Sequence, residues 1–128
     1  MPRDEKRIRT LVIDDASDLQ AICSFLENLP SVVVIATGRT GYDAIVLAHE
    51  WMSELVLMEI KMPEMTGLEA TSRLTRELPD VIIILMPAFE DEKTLWASKE
   101  SGAFAFVMKK NLTHDLPRLL AAWKRDGC

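Results

Sequence analysis

Apolar runs rich in β-branched residues recur along the chain, separated by segments with helical spacing. The runs cover residues 8–13, 32–36, 55–58, 81–86 and 104–108. Each is short and apolar nearly throughout, as expected of strands covered on both faces. The fourth reads Val-Ile-Ile-Ile-Leu-Met and has no polar face to turn toward water. Between the runs, Leu19, Ile22, Cys23 and Leu26 follow the i, i+3, i+4, i+7 spacing of one buried helical stripe. Leu112, Leu116, Leu119, Leu120 and Trp123 do the same near the C-terminus. Residues 67–78 carry Leu68, Leu74 and Leu78 among polar positions, and Pro79 stops that helix. Segments 40–50 and 91–101 show weaker patterns and fill the remaining slots.

This strand–helix alternation, five times over, predicts an α/β fold. It is a doubly wound five-stranded parallel sheet with right-handed crossovers and helices on both faces, a (βα)5 three-layer sandwich. The 128 residues suit a single domain, 1–128, with its core at about 7–125. Cys23 and Cys128 lie far apart and no Cys/His cluster accompanies them, so neither a disulfide framework nor a zinc site is expected. Fifteen basic against twenty acidic residues leave a net charge of −5. That balance opposes direct nucleic-acid binding. No apolar stretch has the length of a signal peptide's core or a membrane span, so no membrane contact and a cytoplasmic location are expected.

Ligands of an open parallel sheet bind outside the carboxyl ends of its strands. Those ends carry Asp14-Asp15 after strand one, Glu59-Ile60-Lys61 at strand three, Met86-Pro87 at strand four and Lys109-Lys110 at strand five. Three carboxylates and a lysine thus converge on one edge. Asp14, Asp15 and Glu59 have the oxygen chemistry that a hard cation such as Mg²⁺ requires. Equally, Asp14 and Asp15 are suited to capping the first helix. Lys109 either pairs with one of these carboxylates or stands in solvent, and Lys110 points the other way.

These segments resemble the receiver domain of two-component response regulators. The likeness rests on Leu-Val-Ile-Asp-Asp at 11–15, on Met-Pro-Glu-Met-Thr-Gly-Leu-Glu-Ala at 62–70, and on Ser-Gly-Ala at 101–103 followed by Phe106 and Lys109. It runs in order over nearly the whole chain. The resemblance implies a flavodoxin-like, CheY-like fold and a signalling role rather than an enzymatic one. In that family an aspartate ending strand three accepts a phosphoryl group from a histidine kinase, and the acidic pair holds Mg²⁺. A Thr or Ser after strand four bonds the phosphoryl oxygens, a lysine pairs with the site, and an aromatic in strand five moves with the switch. Carried over, Asp14 and Asp15 match the acidic pair, Lys109 the lysine and Phe106 the aromatic. The Lys61 backbone carbonyl matches the remaining metal ligand.

Two positions depart. Glu59 stands where the acceptor aspartate belongs, and Pro87 where the Thr or Ser belongs. The extra methylene of Glu59 displaces the carboxylate in a reaction governed by positioning. Pro87 has neither a hydroxyl nor an N–H to offer, and Met86, one register away, has no hydroxyl either. The expected function is an atypical receiver that acts by protein–protein interaction without aspartyl phosphorylation. A conventional Mg²⁺-dependent phosphoacceptor switch is the alternative. A flavodoxin-like cofactor protein is the third reading, disfavoured because Asp14, Asp15 and Asp18 would repel a flavin phosphate.

The resemblance also implies the partners: a histidine kinase, a phosphotransfer protein or an output protein, met through the helix 4–strand 5–helix 5 face, or a second copy in a homodimer. Trp96 and Phe89 fall near that face, with Trp96 the candidate exposed anchor. Trp123 belongs to the buried stripe of the last helix. No linker or DNA-binding helix pair follows it, which leaves open a stand-alone receiver or one excised from a longer regulator.

Overall fold

The computed structural model describes residues 7–127, and side chains through Trp123. Five strands form one parallel sheet in the order β2-β1-β3-β4-β5. They are β1 (Ile8–Ile13), β2 (Val32–Gly38), β3 (Leu55–Glu59), β4 (Ile82–Met86) and β5 (Ala105–Phe106). Helices α1 (Asp18–Glu27), α2 (Gly41–Trp51), α3 (Gly67–Glu77), α4 (Glu92–Glu100) and α5 (Leu112–Gly127) alternate with them. This is the doubly wound α/β sandwich that the apolar pattern predicts, in the CheY-like form that the resemblance implies.

Successive strand residues point to opposite faces, so each apolar strand feeds two cores. Leu11, Ile13, Val56, Met58, Ile83 and Leu85 pack with Ala44, Ile45 and Ala48 of α2 and with Ala70 and Leu74 of α3. On the other face, Ile8, Val12, Leu55, Leu57, Ile84 and Met86 meet Ile22 and Leu26 of α1 and Leu112, Leu116 and Leu120 of α5. Trp123 packs against this second core as its place on the α5 stripe predicts. Cys23 is half-buried, while Cys128 lies outside the described residues.

The fifth strand is the element that departs most from the pattern. Residues 104–108 read as a strand, yet only Ala105 and Phe106 lie in the ladder, opposite Ile84 and Leu85. β5 is an edge strand with one neighbour. The apolar run continues past its pairing because Val107 and Met108 are buried beneath the sheet edge. β4 likewise opens at Ile82 rather than Val81, while β2 and β3 run on to Gly38 and Glu59.

Strand register sets the site. Ile13 lies opposite Met58, and Glu59 opposite Met86. The residues that leave β1, β3 and β4 therefore emerge side by side. Gly67 holds the loop beyond Glu59 in place: its N–H donates to the Ile60 carbonyl at 2.8 Å. A Cβ at Gly67 would lie 2.1 Å from the Glu59 carbonyl oxygen, so only glycine lets α3 start this close to β3. Thr66 and Glu69 then form a reciprocal capping box.

Candidate functional site

Lys109 begins a single 3-10 turn, Lys109–Asn111, after Val107 and Met108 lead the chain out of β5. Its N–H donates to the Pro87 carbonyl at 2.9 Å, tying the ends of β4 and β5 together. From that anchor the side chain reaches back across the sheet edge. Its Nζ lies 2.7 Å from Asp14 Oδ2 and 3.1 Å from Asp18 Oδ2, and it donates to Glu59 Oε1. The Lys109 side chain is 13% exposed, Asp14 0% and Glu59 6%, while Asp18 is half in solvent at 51%.

Three carboxylates therefore share one ammonium, and the cluster has an excess of negative charge. Burial pushes the Glu59 carboxyl above the usual carboxylate range, and the neighbouring Asp14 adds to that. Lys109 opposes the rise without cancelling it. For Lys109 itself burial would lower the value, but the close contacts with the carboxylates of Asp14, Glu59 and Asp18 outweigh it and push the ammonium upward. Lys109 is thus held charged, and Glu59 takes up a proton more readily than a solvated glutamate does.

Asp14 and Asp15 part company. Asp14 Oδ1 accepts from the Ala16 N–H at 2.8 Å. Its Oδ2 faces Lys109 out of hydrogen-bond alignment and has no hydrogen-bond partner among the described residues. Neither residue caps α1, whose N-cap position is Ser17. Asp15 is exposed, and its carbonyl accepts from Arg39 Nη1 at 3.4 Å. Carboxylate oxygens of Asp14, Asp15 and Glu59 nonetheless lie within 4.8 Å of one another. Three such oxygens, with Oδ2 of Asp14 short of a donor, fit a hard dication by chemistry and spacing. Lys109 already touches two of the three, so cation and ammonium would share Asp14 and Glu59.

Pro87 is buried and follows β4 directly. Met86, fully buried, packs in the α1/α5 core. Neither supplies a hydroxyl beside Glu59. Thr94 of α4 lines a crevice of about 10 Å³ together with Glu59, Lys61, Pro87 and Phe89. Its hydroxyl is directed to Asp91 Oδ2 at 2.5 Å. That bond, with backbone N–H groups of α4 and the Lys61 charge, holds the Asp91 carboxyl below its ordinary range. The exposed Lys61 places its ammonium 5.9 Å from the Phe89 ring centroid, a cation–π contact over the rim of the site. Phe106 is half-buried on β5 and packs against the α2/α3 core.

Two features were not legible in advance. Asp18 joins the cluster from α1, 91 positions from Lys109 along the chain, and only the sheet order reveals that proximity. The Lys61–Phe89 contact bridges two loops with no shared periodicity. Elsewhere, Lys110 reaches Glu90 at 3.3 Å with both side chains 61% exposed, and Trp96 on α4 is 66% exposed.

Residues 10–121 match the family model of the response regulator receiver domain. Response regulator protein VraR from Staphylococcus epidermidis is 30% identical over 110 residues, covering 85% of this chain and 53% of that protein. The chain thus spans about half the length of the curated relatives it matches. Among solved structures, the signal receiver domain of the putative response regulator NarL from Mycobacterium tuberculosis superposes with a TM-score of 0.84. Its identity is 20%, over 94% of this chain and 98% of that one. A DNA-binding response regulator of the LuxR family from Staphylococcus aureus gives 0.83 and 22%, over 90% and 97%. Those likenesses carry the fold, and the match over 10–121 carries the family: this chain belongs to the response regulator receiver domains.

Proposed function

We propose that this receiver domain signals without aspartyl phosphorylation. Its output rests on protein–protein contacts of a conformation that the Lys109 cluster holds. The observation that carries this reading is the Glu59–Lys109 contact. A glutamate at this position already reaches the lysine that would otherwise meet an incoming phosphoryl oxygen. The charge is only partly equivalent, since a phosphoryl group brings nearly two negative charges and three acceptor oxygens.

The departures act on separate parts of the reaction. Glu59 carries the attacking oxygen farther from the β3 backbone by about a bond length, and misplacement of ~1 Å costs about 10²-fold in an in-line transfer. Pro87 removes the hydroxyl that would hold the product's oxygens, and its fixed φ stiffens the end of β4. Asp14, Asp15, Glu59 and the Lys61 carbonyl would hold Mg²⁺, which supplies charge neutralisation at phosphoryl oxygens. The partners are a histidine kinase, a phosphotransfer protein or an output protein, engaged through α4, β5 and α5, or a second copy in a homodimer. Trp96 is the exposed aromatic on that face. The domain is a cytoplasmic signalling module, not an enzyme, and makes no direct contact with nucleic acid.

One observation favours a conventional switch: the three oxygen donors and Lys109 are all retained. Intact-protein mass after incubation with a small acyl phosphate and Mg²⁺ separates the two readings. No phosphoryl adduct on the wild type, with an adduct on Glu59→Asp or on Glu59→Asp/Pro87→Thr, supports the proposal. An adduct on the wild type within minutes, absent in Glu59→Gln, overturns it in favour of the switch.

A further inference from the structure

The amino ends of β3 and β4, opposite the charged edge, border an open-mouthed cavity of about 400 Å³. Its walls are apolar: Met52, Leu78, Val81 and Trp123 line it, with Ala48 and Pro79. Its volume falls within the roughly 300–1,000 Å³ range of small-molecule sites.

Ser53 also lines the cavity. The residue is only 5% exposed, and its Oγ has no hydrogen-bond partner among the described residues. A buried hydroxyl left unpaired is destabilising, so such groups are rare without a partner to satisfy them. The neighbouring backbone does not use it: Glu54 N–H donates to the Arg9 carbonyl at 2.8 Å, and Ile82 N–H to the Glu54 carbonyl at 2.9 Å. The hydroxyl is therefore a polar handle in an otherwise apolar pocket.

The charged members of the lining have one sign. Glu54, Glu77 and Asp80 contribute to it, and among the described residues no lysine, arginine or histidine does. Glu54 accepts from the Arg9 backbone N–H, and Glu77 is shared by His49 and Arg73. Asp80, exposed in the loop between α3 and β4, has no ion-pair partner among the described residues. Apolar walls with Asp80 as the uncompensated charge of the described lining disfavour carboxylates and phosphates and favour a cation. Trp123 adds an indole surface for stacking or cation–π contact.

We infer that this cavity binds a small amphipathic cation, a flat apolar body bearing a protonated amine. The body fills the space beside Leu78, Val81 and Trp123, the Ser53 hydroxyl meets a polar edge, and the amine lies toward Asp80. The site is remote from Glu59, at the opposite end of β3, so it stands or falls independently of any phosphorylation chemistry.

The test uses the full chain, labelled with ¹⁵N, titrated with tryptamine and, in parallel, with indole-3-propionate as its charge-reversed counterpart. Tryptamine should shift the Ala48, Ser53 and Val81 amides and the Trp123 indole N–H, saturating by about 1 mM, with indole-3-propionate at least about tenfold weaker. Ser53→Ala should weaken tryptamine several-fold while leaving the melting temperature unchanged or higher, because it deletes an unpaired hydroxyl. Asp80→Lys, at an exposed position, should reverse the preference between the probes. Shifts absent or mapping elsewhere, equal binding of the two probes, or an Asp80→Lys variant that still prefers tryptamine would each overturn the inference. Tryptamine affinity unchanged by Ser53→Ala would overturn the role given to the hydroxyl.

Discussion

Two charge networks in this molecule have similar lengths and opposite surroundings. Lys109 gathers Asp14, Asp18 and Glu59 at the carboxyl edge, with three of the four side chains 13% exposed or less. On the surface between α2 and α3, Glu77 takes His49 at 2.8 Å and Arg73 at 3.0 Å, with side chains 31–46% exposed. Distance alone would rank them together. Surroundings separate them, because the same charges interact several times more strongly away from water, and there each must be compensated. The buried network is a condition of the fold at that edge, whereas the surface one is an accessory. A buried network with more acids than bases also stores repulsion, which is a means of holding a site in one state.

The largest expected effect follows from removing the one base. Lys109→Met leaves Asp14 and Glu59 buried beside each other with no counter-charge, and breaking a buried network in this way costs about 3–5 kcal/mol. Urea unfolding would read it as a lower midpoint with unchanged slope. Adding Glu59→Gln to Lys109→Met should recover part of the loss, since one of the stranded charges is then gone. A loss below about 1 kcal/mol for Lys109→Met would place the buried cluster in the same class as the surface one.

A smaller effect, of opposite sign, belongs to the acid. Folding raises the Glu59 carboxyl above its ordinary 4.5, chiefly through burial. The folded chain therefore binds that proton more tightly than the unfolded one. Its contribution favours folding at low pH and is lost as pH rises from about 4.5 through the folded value. Relative to wild type, Glu59→Gln should gain stability over that rise and stay level or ahead at neutral pH. Lys109 shifts the other way in charge: its raised value contributes stability that is complete below its ordinary 10.5 and lost only on further alkalinisation. Unfolding of both chains followed from pH 4 to 8 checks the sign. A Glu59→Gln variant that loses ground as pH rises would show that pairing with Lys109, not burial, dominates.

How much of this was legible in the sequence differs between the fold and the site. The five parallel strands and the three layers follow from five apolar runs, because burial on both faces leaves no polar alternation to misread. β5 was overread for the same reason: apolarity reports burial, and Val107 and Met108 are buried beyond the two-residue ladder, where the Val107 N–H still donates to the Leu85 carbonyl. At the site, Asp14, Glu59 and Lys109 could be brought together because each lies at or just past the carboxyl end of a strand, and strand ends are aligned by topology. Asp18 could not be assigned to Lys109, since its place depends on the angle at which α1 leaves the sheet. Ser53 was invisible for a different reason. A lone serine before a strand is ordinary in sequence, and only the packing of α2, α3 and α5 around it makes its hydroxyl an unpaired one.

The smallest effect is expected at the surface network, and it closes the comparison from the other side. Glu77 is held below the ordinary carboxylate range by its hydrogen bonds to His49 and then Arg73, both of which favour its charged form. The sign of that shift means support above the ordinary carboxylate value, fading as pH falls through the folded one. Water reaches all three side chains, so solvent and salt supply most of what each partner supplies. His49→Ala should therefore leave the melting temperature within replicate scatter at neutral pH, and raising the salt should erase any difference that remains. Arg73 keeps its two bonds to Glu77 Oε2 in that variant, so no charge is stranded. A drop approaching that of Lys109→Met would mean that solvent exposure does not set the value of an ion pair in this fold, and the inference that the carboxyl edge is held by burial would lose its footing.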